Sequence, residues 1–529
     1  MVGIAFGQGN VTNTGSWINT GTVKANNFTN STAPAAFTNS GGSSSLQIRG
    51  ILTTNANDAL PANFDVETAG EVRYYKTATQ NVNHQVKNNT YANLYLTGSG
   101  AKTLTGVATV TGTATADAAS LAISTHKLTV TAATPFSVAN AGTFSFGTGE
   151  VDYNGTTQNV FSETYGTLTI SNGNTKTMAG PVIASTTLNI NAGTLSIGAN
   201  TLTAAGTISD NSGAGTITGG TTSNLIINGS GDVTLPVITG TNLGNFTYNR
   251  PTNFVNLASN ATVNGTLTAT AGVLHVKSYT LELIGSVTGT TGGFASDLAG
   301  TVFYNGSAGQ SVFGASYGNL SFNNNTKNLS AAAVNIAGIF TPGAGTGHTI
   351  TGSTIAFNGG TQNIPQFNGV AVDQGYNNLQ TSGGAKTMTG DILVTGDFAN
   401  GSGVTTTVGS NGLTIIGSKS QGNDAATMQF AGATNGLIFT TGTVDYNGTD
   451  QTITGDATPA SNFYRLLLLS NVGTKTVTGA TNIVRTESNL TVNDGVALSV
   501  ASSGDLRVEG DLTNNGSVTN AGTITVGVE

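Results

Sequence analysis

Residues 149–180 read GEVDYNGTTQNVFSETYGTLTISNGNTKTMAG. Val151 and Tyr153 alternate on a short strand, and Asn154-Gly155 makes a corner. Gln158 and Val160 form a second strand, and Leu168 and Ile170 alternate on a third. A polar turn then leads to Lys176 and Met178. The same grammar returns four times. It reads VRYYKTATQNV from Val72, followed by YANLYLTGSGAKTLTG; VFYNGSAGQSV from Val302, followed by YGNLSFNNNTKNL; IAFNGGTQNI from Ile355, followed by YNNLQTSGGAKTMTG; and VDYNGTDQTI from Val444, followed by FYRLLLLSNVGTKTVTG. A worn copy from Gly244, GNFTYNRPTNFVNLASNATVNGTLTATAGVLHVKSYTLEL, aligns with the stretch from Gly166. The chain is therefore an array of about six imperfect modules, typically about 75–80 residues long, with one shortened around Ile355.

The second half of a module has its own pattern. Leu121-Ala122-Ile123 is followed by Leu128, Leu195-Ser196-Ile197 by Leu202, Leu274-His275-Val276 by Leu281, and Leu498-Ser499-Val500 by Leu506. Each is a pair of strands around a tight polar corner. No segment carries the 3.6-residue spacing of a helix.

Composition sharpens this. Of 529 residues only 8% are charged, and the formal net charge is −8. With 17 Lys+Arg and a pI of about 4.9 there is no basic stripe to neutralise phosphates, which argues against nucleic acid. Gly numbers 74 without a collagen period, and Pro only 9. Cysteine is absent, so there is neither a disulfide framework nor a thiolate metal site. No apolar run is long enough to span a membrane. Ala5-Phe6-Gly7 places small residues as they stand before a signal cleavage site, so residues 1–9 are expected to be the remnant of a secretory signal.

Short strands with Gly/Asn corners every six to eight residues fit sandwiches in series or a parallel solenoid. Leu168, Leu188 and Ile208 recur at intervals of 20, and insertions fall at corners, which favours the solenoid. The expected fold is all-β: an elongated parallel β-helix, wound right-handed, with about 18–22 residues per coil. Residues 10–69 are expected to be short-repeat coils, 70–480 the module array, and 481–529 C-terminal coils.

Two polar positions recur in the five intact modules: Gln80, Gln158, Gln310, Gln362 and Gln451, and Lys102, Lys176, Lys327, Lys386 and Lys475. They read either as a ligand ladder or, in preference, as structure: a corner amide satisfying backbone groups, and a lysine stem lying over a ring such as Tyr165 or Tyr317. Tyr74, Tyr153, Tyr304 and Tyr446 recur in register; they would stack on sugars if exposed, but coil-corner packing is the expected use. Asp505, Glu509 and Asp511 form the densest acidic cluster, a weak Ca²⁺ candidate. The Asn-Gly pairs at 154, 305 and 447 are turns, and their N-x-[ST] text is only a weak glycosylation signal. No nucleophile, P-loop or zinc motif is present, so no catalytic, cofactor-binding or metal residue and no cofactor is assigned.

The modules V-x-Y-N-G-x-x-Q and Y-x-N-L-x-[LIF]…K-T-[LMV] resemble the secreted Gly/Thr/Asn-rich repeat proteins of Bacteroidota-type bacteria. More loosely they are similar to filamentous-haemagglutinin-like adhesins. The resemblance covers roughly residues 70–529 and implies a parallel β-helix, extracellular display and an adhesive or scaffold role. No sorting or anchoring domain is recognisable after the repeats, which suggests a fragment or a subunit attached by other means. The expected function is a non-enzymatic extracellular rod that stacks end to end or meets a cell-surface glycan. The alternatives are a carbohydrate-binding or polysaccharide-degrading β-helix, and an ice-binding solenoid.

Overall fold

The structure is a computed structural model and describes residues 9–30, 36–39, 44–48, 52–53, 64–65, 70–84, 86–209, 213–239, 243–368, 375–401, 404–416, 428–429, 437–439, 443–453, 464–478 and 483–527. All but Gly9 of the expected signal remnant lies outside these residues. Every strand pairing among them is parallel, which excludes the antiparallel sandwich. The only helical turn described is a 3₁₀ turn at Lys87–Asn89.

The chain divides into two compact units: residues 1–259 with 270–272, and residues 260–269 with 273–529. In each, the backbone winds as three-sided coils laid in register on one another. In the first unit one coil comprises Glu71–Tyr74, Gln80–Val82 and Thr90–Tyr91, and the next comprises Asn93–Leu96, Ala101–Leu104 and Ala108–Val110. Alternate residues turn inward because successive side chains of a strand point to opposite faces. Three interior columns result. Val72, Leu94, Ala114 and Phe136 line one side. Gln80, Lys102, Leu121 and Phe144 line the second. Tyr91, Val110, Val130, Tyr153, Ile170 and Ile190 line the third. The spacing read from the sequence is the real register: Leu168 lies on Leu188, and Leu188 on Ile208.

One detail differs from the expectation of separate short strands. Thr164–Ile170 and Val182–Ile190 each run round a coil corner as one long strand. A register shift between Tyr165 and Thr167 bends the ladder there, as a bulge does, so pairing continues around the corner.

In the second unit Val302 lies on Leu320 and Leu320 on Phe340. The shortened module is seated between its neighbours, with Ile355 between Val334 and Leu379. Leu413, Val444, Leu467, Leu490 and Leu512 form a further column. Leu413 and its partner Val444 are 31 residues apart, whereas Val444 and Leu467 are 23 apart.

The Asn-Gly pairs do lie at corners, but their glycines serve close approach rather than a left-handed backbone. A Cβ at Gly155 would stand 2.1 Å from the Thr131 carbonyl oxygen of the coil below, and one at Gly359 would stand 1.8 Å from that of Ala337.

Candidate functional site: the glutamine–lysine corners

The repeated glutamine and lysine belong to successive coils and are brought together as direct ladder partners in all five modules: Gln80 with Lys102, Gln158 with Lys176, Gln310 with Lys327, Gln362 with Lys386, and Gln451 with Lys475. All ten are buried, the lysines at 0–1% exposure. Inward alternation on the second side of the coil puts them there.

Each glutamine spans two levels. Its Oε1 accepts the corner amide N–H of its own coil, from Gly155 at 2.7 Å, Gly306 at 2.9 Å, Gly359 at 2.8 Å, Gly448 at 2.7 Å and Lys76 at 3.2 Å. Its Nε2 donates downward to the preceding coil: Gln158 to Val130 and Ala132, Gln310 to Leu283 and Gly285, Gln362 to Ile336 and Gly338. Gln80 and Gln451 reach the carbonyls of Ile48 and Ile415. The expectation of a corner amide that satisfies the backbone is met at both ends of the side chain.

Each lysine caps the same corner from above. Lys102 Nζ donates to Lys76 O at 2.8 Å, and Lys176 Nζ to Thr156 O at 3.1 Å and Gly173 O at 2.7 Å. Lys386 meets the carbonyls of Gly359, Gly360, Ser382 and Gly384 at 2.6–3.1 Å. Lys475 donates to Gly448 and Thr449, and Lys327 to Gly306 and to Asn323 Oδ1. The reading of a lysine stem over a tyrosine ring is corrected: the ammonium ends on carbonyl oxygens. Corners interrupt the ladder and leave carbonyls turned inward, and a buried acceptor needs a donor. Among the described residues no carboxylate ion-pairs with these lysines. Burial lowers the pKa of all five, that of Lys475 to about 8.

The tyrosines in register are also inside. Tyr74, Tyr153, Tyr304 and Tyr446 are wholly buried and cannot stack on a sugar. Each hydroxyl meets a second tyrosine's: Tyr91, Tyr165, Tyr317 and Tyr464 respectively, at 2.7–3.1 Å. In three modules the same motif closes on the backbone: the Asn83 N–H donates to Tyr74, and Tyr91 donates to the Asn83 carbonyl. The Phe161 N–H donates to Tyr153, Tyr165 donates to the Phe161 carbonyl, and Phe313 stands likewise to Tyr304 and Tyr317. Where Phe357 replaces the first tyrosine, Tyr376 donates to Pro365 O instead.

Two buried cationic or basic groups were not legible. Arg250, wholly buried in the worn copy, donates to the carbonyls of Gly206, Asn228, Ser230 and Gly231. Desolvation lowers its pKa. An arginine inside a strand of so uncharged a chain was the available signal. His348 is buried beside Phe367, ring centroids 5.0 Å apart, and its Nδ1 accepts the Lys327 N–H at 2.7 Å. Burial pushes its pKa down to about 4.

The acidic cluster does not converge. Asp505 pairs with Arg507 at 2.8 Å and Glu509 with Arg485 at 2.6 Å, while the strand breaks before Asp511. No metal-ligating group forms among the described residues. In the second unit a surface groove of about 720 Å³ lies between Leu298, Ile339, Phe340, Thr361, Asn363 and Pro365. Its lining carries no ionisable side chain among the described residues, and its hydroxyls are those of Thr361 and Thr389. No helix among the described residues is long and apolar enough to cross a membrane.

No protein-family model, curated protein or solved structure matches this chain.

Proposed function

We propose that this protein is a non-enzymatic structural or adhesive scaffold displayed outside the cell, in which copies extend one another by parallel strand pairing. One observation carries the reading: the polar residues repeated in every intact module are buried and bonded to backbone carbonyls and amides. Repetition here serves cohesion between coils. A ligand ladder would instead present those side chains to solvent. The desolvated lysines have the lowered pKa of a reactive amine, yet no solvent path reaches them. The surface-repeat resemblance supports an extracellular location, and the unpaired edge of a parallel coil is a template that supports self-pairing.

Three measurements test it. Antibody against the native protein is expected to label intact cells; signal confined to lysed cells overturns the location. A polysaccharide panel that includes polyuronates is expected to show no turnover. Electron microscopy at micromolar concentration is expected to show stacked particles, and uniformly dispersed monomers refute stacking.

A second reading rests on a specific feature of the first unit. Thr175, Thr194 and Thr216 form one outward ladder, and Thr177, Ser196, Thr218 and Thr239 form another beside it. Two hydroxyl rows on a parallel face suit a periodic surface such as ice, and thermal hysteresis in a freezing assay separates this reading from the first.

A further inference from the structure

Asn-Gly is the sequence most prone to spontaneous deamidation. The glycine nitrogen attacks the asparagine Cγ, the Cγ–Nδ2 bond breaks, and ammonia leaves with the amide proton. A five-membered succinimide remains, and water opens it to aspartate or isoaspartate. Attack requires a glycine N–H that can be deprotonated and a peptide plane free to rotate.

Four of the chain's twelve Asn-Gly pairs stand at the corners held by the repeated glutamine: Asn154-Gly155, Asn305-Gly306, Asn358-Gly359 and Asn447-Gly448. In each, the attacking nitrogen is the very group whose hydrogen is held by the repeated glutamine, at 2.7–2.9 Å. The preceding asparagine N–H is also bound, to Val130, Leu283, Ile336 and Ile415 respectively. Rotation is blocked as well, because carbonyl oxygens of the coil below lie 2.1, 2.5 and 1.8 Å from where a Cβ would stand on Gly155, Gly306 and Gly359. Asn172-Gly173, eighteen residues after the first of these corners, is the opposite case. Asn172 is exposed, its Nδ2 donating to the Asn154 carbonyl at 3.0 Å across open surface, and Gly173 has open space around it. Although the Gly173 carbonyl is held by Lys176, its N–H has no protein acceptor among the described residues.

We infer that Asn172 is a site of spontaneous conversion to aspartate and isoaspartate, and that the repeated glutamine protects the four corner asparagines from the same reaction. Isoaspartate adds a backbone atom, which at a corner would displace the register of the coil, whereas at the Asn172 loop it falls outside the ladder. This holds whatever the protein's location or partner.

The test uses the full chain, incubated folded in mildly alkaline buffer and mapped by peptide mass spectrometry with isoaspartate detection. A urea-unfolded sample gives the intrinsic rate of each Asn-Gly pair. Unfolded, Asn172 and the four corner asparagines are expected to convert at similar rates. Folded, Asn172 is expected to convert at least about tenfold faster than the corners, a ratio that one hydrogen bond's worth of free energy, about 1.4 kcal/mol, supplies. In Gln158→Ala, Asn154 is expected to convert several-fold faster while Asn305, in the other unit, is unchanged. Corner asparagines converting in the folded protein as fast as Asn172 overturn the inference. So does an Asn154 that stays inert in folded Gln158→Ala. If that variant does not fold, the ranking in the unaltered chain still decides.

Discussion

A lysine ammonium whose hydrogen bonds all end on carbonyl oxygens makes no ion pair, and its desolvation, only partly offset at Lys475 by Asp445 and Asp450, is expressed in its proton affinity. Lys475 titrates at about 8 in the fold, against 10.5 for the unfolded chain. Between those values the unfolded chain keeps a proton that the folded one has released, so stability rises with pH across that window. The buried tyrosines act oppositely. Burial raises Tyr74 and Tyr304 to about 12 from 10.0, so their contribution is complete below pH 10 and is lost as pH climbs through 12. The melting temperature followed by circular dichroism is expected to rise from pH 8 towards 10 and fall above it. Lys475→Met should reduce the rise, which the other four lysines share, and leave the fall. On the acid side, His348 titrates at about 4 in the fold and 6.5 unfolded, so stability is expected to drop as pH falls through that interval. A chemical shift assigned to the His348 ring that titrates near 6.5 in the folded protein would contradict the burial of this ring. Tyr165→Phe removes two hydroxyl contacts, to Tyr153 and Phe161, and should cost about 1–2 kcal/mol in urea unfolding.

The corner is the element in which these residues act together. Glutamine takes its N–H, lysine takes its carbonyls, and glycine lets the next coil lie close. Lys176→Met keeps the stem but leaves the Thr156 and Gly173 carbonyls without their donor. The expected loss is about 1–3 kcal/mol, with faster hydrogen exchange confined to the strands around residues 156–178. Gly155→Ala should loosen the same corner by steric contact with the Thr131 carbonyl, costing about 1–3 kcal/mol. Native exchange at this corner would show that the backbone yields there at no cost. Much of this element was legible. Recurrence of Gln158 after Asn-Gly identified a corner amide, because a side chain repeated five times in one chain answers a repeated backbone need. The lysine's partner was misread, since stem and ring contacts are as compatible with the text as carbonyl capping. The tyrosine pairing was not legible: Tyr153 and Tyr165 meet only because the chain turns a corner between them. Arg250 was missed because its module has lost both repeated residues.

Across the molecule, coils touch chiefly the coils above and below, so each unit is expected to unfold as a series of neighbouring segments rather than all at once. Hydrogen exchange by mass spectrometry should show protection graded along the chain, and a single exchange rate for all strands of one unit would refute this. The modules, their inward apolar positions and the interval of about 20 residues were determined by sequence alone, because a ladder that repeats every coil imposes its period on the text. Tertiary structure alone decided what the polar repeats touch. Whether Lys176 meets water, a ring or a carbonyl depends on the height of one coil above the next and on which way each corner carbonyl points. Those quantities are set when separate coils close against each other, and no single stretch of residues contains them.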